Sequence, residues 1–318
     1  MNPLLTPLFA VFGIMLLGSL VQKLKLLPAD TDAVLNQYVY YIAFPAILFV
    51  ALAQTPIDDI LQWGFIGGYF LAMLITYAVC VGLSLWWDKQ QTAIAAIRGL
   101  NATFGNTAFI GIPLLMLLYP GQQLALAAAA IASFLSVLMF AIALVTIEVS
   151  SHQQPHKHPI RIMLQALAKN PIVLGSLLGV AVSASHLSLP DSIAMMMRQL
   201  GNTSSPCALF AIGMVLCKAL RTDNSSSVLH HKNVTEIGAV NLFKMIVQPI
   251  IAYLLLSYFG VEHDFLTMGV LLAAMPTAAS VYLLAHKYQL QASNSAQGIL
   301  FGTLISFLSL PLIQHWLS

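Results

Sequence analysis

Apolar residues in this chain come in long blocks, not in the alternating or three-and-four spacing of a half-exposed strand or surface helix. Charged residues, prolines and glycine clusters bound ten such blocks, at 4–21, 33–53, 61–86, 93–118, 124–147, 171–186, 192–216, 237–259, 265–285 and 292–317. A helix needs about 20 mostly apolar residues to cross a bilayer. The pattern therefore predicts an all-α polytopic membrane protein with ten transmembrane helices. No Lys or Arg precedes the first block and no small-residue cleavage site follows it, so it reads as a retained helix, not a signal peptide.

Composition agrees with a lipid setting: 59% of residues are hydrophobic and 8% are charged, against roughly 25% charged in soluble domains. A net charge of +2 gives no reason to expect a nucleic-acid partner. Of the thirteen Lys and Arg, all but Arg198 and Lys244 fall on the odd-numbered connections between blocks. The positive-inside rule makes those connections cytoplasmic, with both termini outside a cytoplasmic (inner) membrane. Cys80, Cys207 and Cys217 lie within or at the edge of apolar blocks and are odd in number, which does not suggest a disulfide framework.

Five blocks precede a polar, His-containing segment and five follow it, giving 1–150, a cytoplasmic linker at 151–170, and 171–318. An odd number of spans per half inverts the second half relative to the first. Two matches support such an inverted repeat: "FPAILF" at 44–49 with "SPCALF" at 205–210, and "NTAFIGIPLL" from Asn106 with "PTAASVYLLA" from Pro276. The His-rich pieces "EVSSHQQPHKHPIR" and "LRTDNSSSVLHHKNVTE" lack Cys or carboxylate clusters at ligand spacing, so no metal is expected, and nothing calls for an organic cofactor.

Helix breakers interrupt two blocks at mid-depth: Gly105, Gly111 and Pro113 in the fourth, and Pro276 in the ninth. Hydrocarbon offers no partner to the backbone groups that such a break frees, so the break must line protein or a water-filled cavity. The N-terminal ends of half-helices suit an anion. Asn101, Asn106 and Thr107 beside one break, and Thr277 and Ser280 beside the other, are candidate substrate ligands. In the eighth block Asn241, Lys244 and Gln248 lie at i, i+3 and i+7 and share one face. There Lys244 can neutralise a substrate carboxylate or pair with a neighbouring carbonyl, with Gln248 beside it. The blocks show no Asp or Glu pair for a proton relay. Carbonyls at the breaks can still hold sodium, so proton and sodium both remain open as coupling ions.

These motifs, with "MPTAASVYLLAHKYQ" at 275–289 and "GILFGTLISFLSLPLI" at 298–313, resemble the auxin efflux carrier family. The short central segment resembles its bacterial, malonate-permease-like branch. The resemblance implies two inverted five-helix repeats whose fourth and ninth helices cross at mid-membrane. It makes spans 1, 2, 6 and 7 a scaffold and homodimer interface, and spans 3–5 and 8–10 a transport domain that moves elevator-fashion. It also implies that Asn106 is the substrate-binding asparagine and Pro276 the crossover proline. Gly105 stands where the plant members resemble one another in having proline.

The expected function is therefore a secondary transporter of a small organic anion, a mono- or dicarboxylate, across the cytoplasmic membrane. No phosphate-binding loop is present, so a gradient drives it. An anion channel is the alternative. An intramembrane enzyme is less favoured, since neither H-E-x-x-H nor G-x-S-x-G occurs. The chain ends directly after the tenth block, so no appended signalling domain is expected.

Overall fold

The structure is a computed structural model, and it describes residues 5–87, 92–150, 159–222 and 231–317. The apolar blocks fold as helix. The first half contains α1 (Leu5–Leu24), α2 (Thr31–Tyr38), α3 (Phe44–Ala53), α4 (Ile57–Ile60), α5 (Trp63–Trp87), α6 (Thr92–Thr103), α7 (Ile112–Leu118) and α8 (Gln123–Ser150). The second contains α9 (Pro159–Ala168), α10 (Pro171–Ala184), α11 (Asp191–Asn202), α12 (Ser204–Thr222), α13 (His231–Leu242), α14 (Gln248–Tyr258), α15 (His263–Ala273), α16 (Ala279–Lys287) and α17 (Ala292–Leu317). Among the described residues there is no strand, only one isolated β-bridge.

Among the described residues, six helical runs are long and apolar enough to cross a membrane: Thr31–Ala53, Ile57–Trp87, Gln123–Ser150, Asp191–Lys218, Val234–Tyr258 and Ala292–Leu317. Shorter apolar helices, Phe9–Leu24, Thr107–Leu118, Pro171–Ala184 and His263–Ala273, occupy the other blocks. The last part of the expected linker is helical, as α9. Residues 151–158 and 223–230, which carry most of the two His-rich pieces, lie outside the described residues.

Proline explains a recurring local feature. The π-helical turns Val39–Ala43, Thr107–Gly111 and Phe243–Val247 each end two residues before a proline, at Pro45, Pro113 and Pro249. A proline ring collides with the carbonyl four residues earlier and donates no hydrogen bond to it. A wider turn there moves that carbonyl aside, so the helix continues past the proline.

The chain packs as two compact units. The first comprises Met1–Gln62, Thr107–Ser133 and Asn170–Val228. Within it α1 lies along α12, and α3 along α10. The approach of α1 to α12 is reciprocal. A Cβ on Gly18 would overlap the carbonyl oxygen of Phe210, and one on Gly213 would overlap that of Met15. Small residues let membrane helices meet backbone to backbone, where van der Waals contact replaces the missing hydrophobic drive. Asp32 on α2 is buried and pairs with Lys218 on α12 at 2.5 Å. The sequence analysis assigned Lys218 to a loop and gave Asp32 no partner, because the pair forms across 186 residues of chain.

The second unit comprises Trp63–Asn106, Phe134–Lys169 and Leu229–Ser318. In it α5 packs on α6 and α14, while α13 and α16 pack on α17. Phe65 anchors the contact between α5 and α15, with its ring edge-on to Phe265 at 5.4 Å. The grouping of the fourth and fifth spans with the third is divided between the units at Asn106–Thr107 and Ser133–Phe134. The break in span four allows this, since α7 beyond it packs against α1 and α12.

Candidate functional site

Helix α6 ends at Thr103 and α15 ends at Ala273, and in both places the chain leaves helix in mid-block. Pro276 has no N–H with which to continue the α15 ladder. The two non-helical stretches, Phe104–Asn106 and Ala274–Ala278, satisfy each other. The Asn106 N–H donates to the Pro276 carbonyl at 2.7 Å, and the Ala278 N–H donates to the Phe104 carbonyl at 3.1 Å. Gly105 and Thr277 thus form an antiparallel bridge. The Thr277 hydroxyl adds a bond to the Asn101 carbonyl at 2.7 Å. Backbone groups that hydrocarbon would leave unpaired are paired here within one unit.

The carbonyl ends of both half-helices are capped by one pair of side chains. Lys244 is fully buried (0% exposed) in the π turn before Pro249. Its ammonium donates to the Ala273 carbonyl at 2.5 Å and to Gln248 Oε1 at 2.6 Å. Gln248, 1% exposed, passes the contact on, as its Nε2 donates to the Thr103 carbonyl at 3.2 Å. Ala273 and Thr103 are the last residues of α15 and α6, where the helix dipole leaves partial negative charge. A Cβ on Gly105 would sit 3.2 Å from the ammonium and 3.3 Å from the Met275 side chain, so glycine leaves the space into which Lys244 reaches.

The N-terminal end of α16 is different. Ala278, its N-cap, is extended (φ −80°, ψ 148°) and supplies no side-chain cap. Ala279 and Ser280 in the first turn are exposed. The first amides of a helix have no intrahelical partner and carry partial positive charge.

Beside the bridge is a small cavity of about 20 Å³, lined by Arg98, Asn101, Glu236, Asn241, Thr277 and Ser295 among others. It has room for about one water or small ion. Asn101 Nδ2 donates to Ser295 Oγ at 2.9 Å and to the Ile97 carbonyl at 3.0 Å. Above it Arg98 holds Glu236 through two parallel bonds, at 2.9 and 2.8 Å, and donates to Ser84 at 2.8 Å. The Gln291 amide, turned so that its nitrogen faces the carboxylate, donates to Glu236 at 2.6 Å and accepts from Arg98 at 3.1 Å. Asn241 lies against Gly302, and its Oδ1 has no partner among the described residues.

Of the sequence-predicted residues, the second unit brings together Asn101, Gly105, Asn106, Lys244, Gln248, Pro276 and Thr277. Ser280 is exposed on α16, apart from the buried Thr277. Thr107, Gly111 and Pro113 are buried in the first unit. There the Thr107 hydroxyl has no partner among the described residues, whereas that of Thr103 bonds back to the Gly99 carbonyl of its own helix. Arg98, Glu236, Gln291 and Ser295 escaped the sequence analysis. Arg98 was legible as the residue one turn before Asn101, on the same face. Ser295 and Gln291 carried no signal, because α17 brings them to α6 across nearly 200 residues.

The first unit has its own cavity, of about 310 Å³, lined by residues including Gln54, Gln122, Gln123, Arg198 and Asn202. Arg198 donates there to Gln54 Oε1 at 2.5 Å.

Comparison with known proteins adds an independent line. Residues 3–314 match the model of a family described as "Membrane transport protein". The chain is 28% identical over 298 residues to a "Putative malonate transporter" of Rhizobium meliloti (strain 1021), a match covering 93% of this chain and 90% of that protein. It is 22% identical over 311 residues to the "Uncharacterized transporter YfdV" of Escherichia coli (strain K12), covering 96% and 95% respectively. A "Probable auxin efflux carrier component 5c" of Oryza sativa subsp. japonica matches 144 residues at 25% identity, 44% of this chain and 37% of that protein.

Proposed function

Because the chain belongs to the membrane transport protein family that includes the auxin efflux carriers, we propose that it is a secondary carrier of small organic anions. Mono- or dicarboxylates are the substrate class, and the carrier works in the cytoplasmic membrane by elevator-type alternating access. The relative named for malonate makes a three-carbon dicarboxylate the first probe.

One observation carries this reading: the ends of the broken helices are sorted by charge. Lys244 and Gln248 cap the carbonyl ends at Ala273 and Thr103, while α16 begins with no side-chain cap and with Ala279 and Ser280 exposed. An anion is favoured where amides and partial positive charge remain available. In the proposal the carboxylate binds at the crossing, against the α16 amides and the side chains of Asn106 and Ser280, and the Lys244 charge reaches it across Gly105. Asn101 and Thr277 hold the crossing from behind.

The elevator reading draws support from the packing of the whole bridge, with its caps and the Arg98–Glu236 pair, inside one compact unit. Such a unit can carry the site without unmaking it. The proposal keeps ten spans in two inverted repeats, both termini outside, and a homodimer through the scaffold helices.

The test is thermal stabilisation of the purified protein by a panel of mono- and dicarboxylates, on wild type and Asn106→Ala together. Binding to the native state raises the melting temperature by mass action. The expected result is a carboxylate that stabilises the wild type and not the variant; equal stabilisation of both would move the site away from the crossing. Uptake into proteoliposomes that saturates and is stimulated by internal counter-substrate separates a carrier from an anion channel.

A further inference from the structure

The ammonium of Lys244 occupies the place of an ion. In carriers built on broken helices, the carbonyl ends and unwound carbonyls at mid-membrane are the groups that hold a coupling cation. Here those groups are engaged by a side chain. The Ala273 carbonyl and Gln248 Oε1 lie 2.5 and 2.6 Å from Nζ, and Gln248 links the pair to the Thr103 carbonyl of the other half-helix. Both partners of the ammonium are oxygens, and neither is a carboxylate. Such a set favours one monovalent cation and offers no charge to hold a second.

We infer that Lys244 is a tethered replacement for a coupling alkali cation, so that the carrier binds its anion without sodium, and that removing the ammonium turns its carbonyl cage into a sodium-binding site. The inference rests on the crossing being the anion site, as proposed above. Three features of the structure carry it. The lysine is completely buried, so its head group is a component of the unit and not a surface group. It donates to the carbonyl end of α15 and to a side-chain oxygen, and the partial negative charge of that helix end favours a cation whether or not an anion is bound. Gly105 leaves the cage open on the bridge side, where a Cβ would stand 3.2 Å from Nζ.

The experiment compares wild type, Lys244→Met and Lys244→Gln, each purified and melted in sodium, potassium or choline chloride at constant ionic strength, with methylammonium as a further cation. The wild type is expected to melt at the same temperature in all four and to be stabilised by malonate equally with or without sodium. Lys244→Met is expected to melt lower in choline and to regain about 2–6 °C, saturably, in sodium or methylammonium. Adding Gln248→Leu to that variant removes one cage oxygen and should abolish the regain. A merely structural lysine would give variants that are destabilised to the same extent in every salt, and that result overturns the inference. So does sodium dependence of malonate stabilisation in the wild type, which reads out even if both variants fail to fold. Should no carboxylate stabilise the wild type while the variant still responds to sodium, the anion site fails and the cation cage stands.

Discussion

The backbone amide of Asn106 donates to the carbonyl of Pro276 at 2.7 Å, joining two broken helices that lie 170 residues apart in the chain. The bond uses the main chain of both residues and so leaves the Asn106 side chain out of the bridge. The backbone bond can therefore be tested apart from the side chain.

At that position, Asn106→Ala keeps the N–H and is expected to lower the melting temperature less than Asn106→Pro does. Asn106→Pro removes the donor and orphans a buried carbonyl, which costs about 1–3 kcal/mol. Melting curves of the two variants in the same detergent check the contrast. If alanine destabilises as much as proline, the side chain is structural.

Arg98 and Glu236 test the polar cluster above the small cavity. Their side chains are 13% and 20% exposed and joined at 2.8 Å, so removing one leaves the other partly buried without its main partner. Arg98→Met alone should cost about 1–3 kcal/mol, and the Arg98→Met/Glu236→Met double variant should recover part of it. A double-mutant cycle measures the coupling; strict additivity would show that the pair contributes nothing beyond its parts.

Close approach in the first unit gives a steric prediction. Alanine at Gly213 would drive its Cβ into the Met15 carbonyl, and helix backbones cannot yield as a flexible side chain can. A loss of about 1–3 kcal/mol or more is expected, visible as lower melting temperature and poorer monodispersity. Alanine at Gly67, where a Cβ would meet nothing within 4 Å, is the control.

Tyr288, beyond the end of α16, donates to Glu148 at 3.0 Å. Burial, then the hydrogen bond and the negative charge of Glu148, push its phenol up to about 12 from the usual 10. A group whose value is raised by folding contributes stability that is whole below the unfolded value and fades as pH climbs through the folded one. The melting-temperature advantage of wild type over Tyr288→Phe should thus hold up to about pH 10 and shrink as pH approaches 12. An advantage that stays constant across that window would show that folding does not raise the phenol's value.

The blocks, the breaks and the buried face of α13–α14 were legible in the sequence because lipid makes each a local requirement. Twenty apolar residues announce a span, and a proline inside one announces freed carbonyls. Lys244 and Gln248 could be placed on one face, with a carbonyl as one possible partner of Lys244, but the carbonyls themselves could not be named. They belong to α15 and α6, and no spacing rule reaches across such separations. The Arg98–Glu236–Gln291 cluster was hidden for a second reason: charges near the ends of spans look alike whether they face water or one another. The division of span four between the units was equally invisible, since the apolar block runs on past Asn106 without a charged or loop-like interruption.

The π turn at Phe243–Val247 gives Pro249 influence over chemistry in which it takes no part. One residue of helix turns the side-chain direction by roughly 100°. Without the proline's steric demand, that stretch could rewind to the tighter pitch and swing Lys244 away from the Ala273 carbonyl. A ring that neither donates nor carries charge thus works as an alignment pin, setting the compass bearing of a buried ammonium.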